Sequence, residues 1–371
     1  SSIERDMRGY AAVLEAFRQP LAWREFEVLP PAPGGVLVRI AAAGICGSDL
    51  HMWQGEDPRT PLPIILGHEA VGRVVALGSD KRDILGRPLR EGDLIAWDRG
   101  ITCGACYYCA VRKEPYLCPH RHAYGINLSS AEPPYLLGGY AEYIHLLPGT
   151  NVLILPAGID PAQLVAASCS GATAAHAVEA SGIRLGDQVI VQGPGPLGLF
   201  ALAFAVARGA ATAIVVGTQR SAWKLEVARR FGATHLMMAD VGTAESRCAE
   251  IHALTYGRGA TQVIECSGAL VAIAEGIKWV APGGVYALPG AAVPVGDVPI
   301  AIYEDVVRKN VRLQGTWVSD TSHFYQAVEL VLSGRFPFDA MITHRFPLYE
   351  ADRALQALRE RDVLKAVLIP G

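Results

Sequence analysis

The sequence lacks an excess of either charge, a long unbroken apolar run and an internal repeat. Its 33 Lys and Arg and 36 Asp and Glu give a formal net charge of -3 over 371 residues. That balance does not suit a surface for nucleic acid or acidic membranes. The most apolar stretch, residues 197–216, is broken by Arg208, which favours a buried helix and strand over a membrane span. Neither nucleic acid nor a membrane is an expected partner.

The first residues of the sequence do not show the pattern of a secretory signal. Residues 1–8 are polar and charged, with no basic segment leading into an apolar one. We therefore expect a cytoplasmic location, where thiols stay reduced. In that setting the eight cysteines, at positions 46, 103, 106, 109, 118, 169, 248 and 266, are more typical of metal ligands or free thiols than of disulfides.

The length fits two domains, and the pattern changes twice along the chain. Up to about residue 156, short apolar runs broken by Pro and Gly predict a β-rich domain. Beyond residue 160, Ala-rich helical patterns alternate with strands predicted at 188–192, 212–216, 235–238, 262–266 and 284–288. That alternation is typical of a parallel α/β sheet. Short strands, beginning with 311–315, return near residue 310. We predict one domain formed by residues 1–160 and 310–371, with residues 161–309 inserted as the other.

A glycine-rich loop lies between a predicted strand and a predicted helix. The strand 188–192 runs into Gly193-Pro-Gly195-Pro-Leu197-Gly198, and a helical pattern follows. This is the G-x-G-x-x-G pattern in the context that dinucleotide binding requires. Proline has no N–H, so Gly195, Leu197 and Gly198 would supply the phosphate donors at the helix start. The alternative is a purely structural turn.

The next strand ends without the acidic residue that usually binds the cofactor ribose. Its tip is Gly217-Thr218-Gln219-Arg220, where Thr218 and Arg220 suit a 2′-phosphate. We therefore expect NAD(P), with NADP favoured. The alternative is that Arg220 only solvates a helix start and either cofactor serves.

Four cysteines form the sharpest motif. Cys103, Cys106, Cys109 and Cys118 are spaced C-x2-C-x2-C-x8-C, which predicts a closed, structural zinc site in a lobe at about residues 100–120. An iron–sulfur cluster or a pair of disulfides are the alternatives.

Four further residues are spread along the chain: Cys46 in Gly44-Ile-Cys-Gly-Ser48-Asp-Leu-His51, His68 and Glu69 in Gly67-His-Glu, and Cys169. Each alone would be an ordinary packed side chain. Together with the cysteine motif, the glycine loop and the terminal Lys365-Ala-Val-Leu, they give a sequence that resembles the medium-chain, zinc-dependent alcohol dehydrogenase family. The resemblance covers essentially the whole chain.

The resemblance implies a GroES-like catalytic domain split around an inserted Rossmann domain, with the active site in the cleft between them. It implies that Cys46, His68 and Cys169 hold a catalytic zinc ion and that Glu69 stands beside it. Polyol and threonine dehydrogenases of this family typically carry Glu in place of Cys169, so an alcohol-dehydrogenase type of zinc site is favoured. The family also implies a homodimer or homotetramer.

The implied function is reversible, NAD(P)-linked oxidation of a small alcohol to an aldehyde or ketone. Zinc at an open site lowers the pKa of a bound hydroxyl. The family's proton relay maps onto Ser48 and His51, although His51 would also suit a surface loop. The alternatives are a polyol dehydrogenase of the same fold, a zinc- and nucleotide-binding protein without catalysis, and a zinc hydrolase.

Residues near these motifs do not identify the substrate. Asp49 and Glu56 suit either a polar substrate or surface solvation. Candidate walls for the substrate are the aromatic residues Trp53, Trp97, Tyr124 and Trp317.

Overall fold

The computed structural model describes residues 6–360 and 362–371, which divide into two compact units. The first unit consists of the chain up to Cys169 together with Asp320–Phe324 and Met341–Gly371. The second consists of Ser170–Ser319 and Tyr325–Ala340. The chain therefore leaves the first unit, builds the second, and returns.

Strands predominate up to residue 154, and strands alternate with helices beyond residue 169, as the apolar patterns predict. The strands are β1 (Arg8–Leu14), β2 (Ala22–Glu27), β3 (Val36–Ile45), β4 (Ile64–Ile65), β5 (Ala70–Leu77), β6 (Leu94–Trp97), β7 (Gly100–Ile101), β8 (His122–Ala123), β9 (Tyr143–Leu146), β10 (Val152–Ile154), β11 (Gln188–Gln192), β12 (Thr212–Gly217), β13 (His235–Met238), β14 (Ala260–Glu265), β15 (Val280–Leu288), β16 (Arg312–Gly315), β17 (Ile342–Pro347) and β18 (Lys365–Ile369). The α-helices are α1 (Gly47–Gln54), α2 (Ser170–Ser181), α3 (Pro196–Ala207), α4 (Ala222–Arg230), α5 (Ala244–Leu254), α6 (Leu270–Gly276), α7 (Thr321–Leu332) and α8 (Ala351–Ala357). Shorter 3-10 segments include Pro161–Ser168, and π-helical turns occur at Tyr108–Arg112 and Ile302–Val307.

The first unit is built on a seven-stranded sheet. Its strand order is β10-β6-β5-β3-β18-β17, and β9 also pairs with β3. Strand β3 is buried along nearly its whole length, and near its end Ile45 pairs with Ala366 of β18. A three-stranded sheet, β2-β1-β4, packs into the same apolar core. The end of the chain thus lies beside the strand that leads to Cys46.

The second unit contains a six-stranded, wholly parallel sheet. Its order, β13-β12-β11-β14-β15-β16, is the doubly wound order of Rossmann domains. All five residues of β11 are buried, as expected where helices cover both faces of a parallel sheet. The predicted α/β class and the strands at 188–192 and 235–238 are confirmed.

The second unit extends further than the predicted end at residue 309. Strand β16, predicted to belong to the β-rich domain, instead pairs in parallel with β15. Helix α7 lies mostly in the second unit, and the following Phe338 ring packs 4.8 Å from that of Phe200. The first unit also keeps residues 161–169. The position of β16 is set by its pairing with β15 at the sheet edge. Its four residues contain no apolar run from which the sequence could predict this sheet.

Among the described residues, no helix has both the length and the apolar character needed to cross a membrane.

Candidate active site and metal centres

The turn from β3 into α1 fixes the position of Cys46. Cys46 is the extended N-cap residue of α1, and its backbone N–H donates to Asp49 Oδ2 at 3.0 Å. A side-chain acceptor of this kind satisfies an otherwise unpaired amide at a helix start. The Cys46 thiol is thereby held at the end of a buried strand.

Two other segments bring His68, Glu69 and Cys169 to the same place. His68 and Glu69 lie between β4 and β5, and Gly44 N–H donates to the Glu69 carbonyl at 2.7 Å. Cys169 ends the 3-10 segment that precedes α2. One ligand atom from each of these residues and from Cys46 lies within 4.8 Å of the others. The structure thus brings the whole predicted set together in the first unit.

Asp49 is one of the residues whose position near the site the sequence analysis did not foresee. Its side chain is completely buried, with Oδ1 lying 3.2 Å from His68 Nδ1. Its Oδ2 accepts a hydrogen bond of 2.7 Å from Tyr140. Neither a polar substrate nor solvation, the two expectations for Asp49, explains this position. The buried carboxylate is paired with the His68 ring instead. Glu56, by contrast, is exposed.

Burial and mutual contacts shift the pKa values of the His68 imidazole and of the Cys46 and Cys169 thiols. Although burial lowers the pKa of His68, Asp49 and Cys46 outweigh it and raise the pKa to about 10. The hydrogen bond with Cys169 and burial raise the pKa of Cys46 far above its usual range, whereas the same bond lowers the pKa of Cys169. His68 Nε2 is buried and makes no hydrogen bond within the described part of the chain. One nitrogen and two sulfur donors form a set that zinc prefers.

Lys365, from the last strand, secures Glu69. Its Nζ lies 2.7 Å from Glu69 Oε2 and donates to the Ile45 carbonyl at 3.0 Å. Burial lowers the pKa of Lys365, but Glu69 and Cys46 reverse the effect and raise it. Glu69 Oε1 has no hydrogen-bond partner among the described residues. One carboxylate oxygen is therefore held by Lys365 while the other stays available.

The four cysteines of the predicted lobe also meet. Their sulfur atoms lie within 4.8 Å of one another, with 3.6 Å between Cys103 and Cys118. Cys106 N–H donates to Cys103 Sγ at 3.3 Å, and backbone amides, including this one, lower the pKa of Cys103 to about 6. Burial and Cys106 raise the pKa of Cys109 to about 11. Residues 103–117 include no buried residue, so the lobe has no apolar core of its own.

Ser48 and His51 lie on α1, directly after Cys46. Residues three apart on a helix share a face. His51 Nδ1 lies 2.7 Å from Glu56 Oε2, and the side chains of both residues are more than two-fifths exposed. His51 therefore stands where the helix reaches solvent.

The glycine loop has the geometry that its sequence predicts. Gly193 has a φ of +107°, in the left-handed region, and Gly195 is the N-cap residue of α3. In the part of the chain that the structure describes, the amides of Gly195, Leu197 and Gly198 donate no hydrogen bond. Those amides are free to bind an anion.

A carboxylate unforeseen from the sequence lies beside the tip of β12. Gly217 ends this strand, Thr218 and Arg220 are exposed, and Gln219 N–H donates to Asp240 Oδ1 at 3.0 Å. Asp240 follows the neighbouring strand, β13. The tip of β12 itself therefore has no acidic residue, as expected, but Asp240 brings a carboxylate next to it from the neighbouring strand.

Three of the four candidate aromatic walls are packed in the core of the first unit: Trp53, Trp97 and Tyr124. Trp53 donates to the Gln19 carbonyl at 2.7 Å, and the Tyr124 hydroxyl lies 2.5 Å from that of Thr150. Trp317 is exposed.

Comparison with known proteins defines the class. Residues 32–157 match the family described as alcohol dehydrogenase GroES-like domain, and residues 196–333 match the family described as zinc-binding dehydrogenase. The chain belongs to the zinc-binding, medium-chain alcohol dehydrogenases. It is accordingly an oxidoreductase that acts on CH–OH groups of alcohols or polyols.

Particular relatives resemble it over nearly their whole lengths. The 5-exo-hydroxycamphor dehydrogenase of Pseudomonas putida is 34% identical over 96% of this chain and 98% of its own. An alcohol dehydrogenase of Thermotoga maritima is 46% identical, with a TM-score of 0.95 over 98% of this chain and 100% of its own. A zinc-binding dehydrogenase of Sinorhizobium meliloti, solved with bound NADP, is 29% identical, with a TM-score of 0.86 over 98% and 100% of the two chains.

Proposed function

We propose that this enzyme oxidises a small alcohol reversibly at a zinc ion held by Cys46, His68 and Cys169. The observation that supports it most is the meeting of two half-buried thiols with the buried His68 ring, whose Nε2 has no hydrogen-bond partner among the described residues and whose Nδ1 lies 3.2 Å from Asp49 Oδ1. Zinc at such a site would supply the Lewis acidity that lowers the pKa of a substrate hydroxyl. Three protein donors leave the fourth position of a tetrahedral site for that hydroxyl.

The surrounding residues would orient the donors and carry the proton. Asp49, whose Oδ1 lies 3.2 Å from His68 Nδ1, would favour the His68 tautomer that leaves Nε2 free for zinc. Lys365 holds one carboxylate oxygen of Glu69. The other oxygen would orient a zinc ligand or assist the exchange of ligands at the zinc ion. Ser48 would accept the substrate proton as it passes its own hydroxyl proton onward, and His51, whose ring reaches solvent beside Glu56, would release a proton to water.

Cys103, Cys106, Cys109 and Cys118 would hold a second, structural zinc ion. Four sulfurs fill a tetrahedral site and leave no place for substrate. The lack of buried residues between positions 103 and 117 supports this role, because the lobe would otherwise have little to hold it folded. Both zinc sites need reduced thiols, which suits the cytoplasmic location expected from the sequence.

The cofactor would be NAD(P), bound through the amides of Gly195, Leu197 and Gly198. Thr218 and Arg220 support the preference for NADP, while the nearby Asp240 carboxylate opposes it. Initial rates with equal concentrations of NAD and NADP test the preference directly. Faster turnover with NAD would refute it.

We also infer that the active form is a homodimer or homotetramer. In the described residues, β16 is the outermost strand of its sheet, and exposed Leu313 lies on it. Such an edge offers hydrogen-bonding groups to a second copy. Sedimentation of the zinc-loaded protein would refute the inference if only monomer is found.

Zinc content and alcohol turnover, measured on the same preparations, test the proposed function. The wild type should contain two zinc ions per chain and reduce NAD(P) with alcohols. Cys46→Ser should lose activity and one zinc, and Cys118→Ser should lose the other zinc together with thermal stability. Cys248→Ser, on α5, serves as the matched control and should keep both ions. Activity that survives complete zinc removal would contradict the proposal.

A further inference from the structure

Two of the arginines in the first unit lie close to the Cys169 side of the proposed zinc site. Arg99 follows β6, is 3% exposed, and donates through Nη1 to the carbonyl of Ser168, the residue before Cys169. Arg121 follows Cys118 and precedes β8. Strands β7 and β8 pair antiparallel, with Gly100 opposite Ala123, so the segments carrying the two arginines run side by side.

The Arg121 guanidinium lies against the backbone of Gly100. A Cβ atom at position 100 would lie only 2.5 Å from Arg121 Nε and 2.6 Å from its Cζ. Glycine is thus what leaves room for the guanidinium at this point. Arg121 Nη2 is buried and has no hydrogen-bond partner within the described residues, although the residue as a whole is only partly buried.

Asp57 and Asp98, two carboxylates of the first unit, bind other groups. Asp57 binds Arg59 through both oxygens, at 3.0 and 2.7 Å. Asp98 accepts from the Gly100 amide at 3.0 Å and from the Thr321 hydroxyl at 2.8 Å. Neither makes a direct hydrogen bond with Arg121 among those described. No carboxylate therefore hydrogen-bonds the Arg121 guanidinium among the described residues.

The electrostatics of Arg121 agree with the absence of a hydrogen-bonded carboxylate. Burial lowers its pKa to about 10, with further lowering by Arg99 and Arg59, and Asp98 and Cys169 only partly offset these effects. A buried charge without a hydrogen-bonded counterion is costly to a fold. An anion beside the accessible part of the guanidinium would relieve that cost.

We propose that Arg121, supported by Arg99, binds an anionic group of the alcohol substrate, either a carboxylate or a phosphate monoester. The inference rests on the proposed function, since it takes the reacting hydroxyl to lie at the Cys46, His68 and Cys169 site. A planar guanidinium matches either oxyanion with two parallel hydrogen bonds. The enzyme would then select hydroxy acids or phosphorylated polyols over neutral alcohols of the same length.

A matched substrate series tests the selection. Erythritol, erythronate and erythritol 4-phosphate would be compared as substrates of the zinc-loaded enzyme through kcat/KM. The wild-type kcat/KM should be at least 10-fold higher for one of the anionic compounds than for erythritol. Comparing erythronate with erythritol 4-phosphate shows whether the site prefers a carboxylate or a phosphate. Arg121→Gln should lower the ratio of anionic to neutral kcat/KM by about 10- to 150-fold, the range for a hydrogen-bonded charged group. Arg121→Lys should lower it less.

The control variant and a binding measurement make the outcome decisive. Arg82→Gln removes an exposed arginine that donates to Gly86 and should leave the ratio unchanged. Thermal shifts with erythronate and erythritol 4-phosphate report binding without turnover. Stabilisation of the wild type that Arg121→Gln abolishes, without turnover of any alcohol, would support the anion site and refute the proposed function. The inference would be overturned if Arg121→Gln changed neither the ratio of anionic to neutral kcat/KM nor the thermal shifts. It would also be overturned if the variant raised only the KM for NADP.

Discussion

Replacing Asp49 by Asn should release the proposed catalytic zinc while leaving the proposed structural zinc in place. Asp49 Oδ2 accepts from Cys46 N–H at 3.0 Å and from Tyr140 at 2.7 Å, and Oδ1 lies 3.2 Å from His68 Nδ1. An asparagine has only one oxygen, so it cannot accept on both sides. If its oxygen replaces Oδ2, its NH2 group faces His68 Nδ1. That contact forces the proton of a neutral His68 onto Nε2, the nitrogen needed as ligand.

The magnitude follows from the two orientations open to the amide. In the first, the histidine must lose its favoured tautomer before it binds zinc. In the second, the hydrogen bonds from Cys46 and Tyr140 are lost, each of which contributes about 0.5–1.5 kcal/mol. Loss of a residue that orients a metal ligand weakens metal affinity about 10- to 100-fold, which corresponds to roughly 1.4–2.7 kcal/mol. We expect Asp49→Asn to fall within that range.

Competition with a chromophoric chelator measures the affinity of both zinc sites in one titration. Asp83→Asn is the matched control, because Asp83 is also buried and accepts from the Leu85 amide at 3.0 Å and from Arg87 Nε at 2.9 Å. Both variants should lose stability, but only Asp49→Asn should bind one of its zinc ions more weakly. The reasoning would be refuted if Asp49→Asn bound both ions as tightly as the wild type does.

Three other substitutions test separate parts of the site. Lys365→Met leaves the Glu69 carboxylate buried and unpaired, so urea unfolding should show a loss of about 3–5 kcal/mol; adding Glu69→Gln should restore most of it, and no restoration would argue against the ion pair. His51→Gln should slow turnover most at lower pH and recover in part with imidazole buffer, whereas an unchanged pH–rate profile would remove His51 from the relay. Asp240→Asn removes an exposed carboxylate beside the tip of β12, where the cofactor ribose would bind, so the NADP to NAD ratio of kcat/KM should rise about 2- to 5-fold, the range for exposed charges; a fall in that ratio would contradict its role.

Strands and motifs whose signal is local were predictable from the sequence. The apolar run of β11 and the glycine loop directly after it predict both the strand and the helix that follows. The spacing of Cys103, Cys106, Cys109 and Cys118 likewise places four thiols on one short segment. In these cases the chain itself brings the interacting groups together.

Residues whose role depends on distant partners were not predictable. Lys365 lies 296 positions from Glu69, and nothing near either residue reveals their ion pair. Asp49 occupies an unremarkable polar position, and only its burial beside His68 shows its role. Asp240 reaches the tip of β12 because β13 is the parallel neighbour of that strand. For β16, pairing at a sheet edge decides a position that its few apolar residues leave open.

The pairing of β18 with β3 has a consequence for synthesis on the ribosome. Lys365 emerges nearly 200 residues after Cys169, which takes on the order of 10–40 s at ordinary elongation rates. During that interval the entire second unit is made while Glu69 lacks its cation and β3 lacks a neighbouring strand. Until then, the nascent first unit exposes the edge of β3 that β18 later covers, and the Glu69 environment is completed only when β18 has been translated.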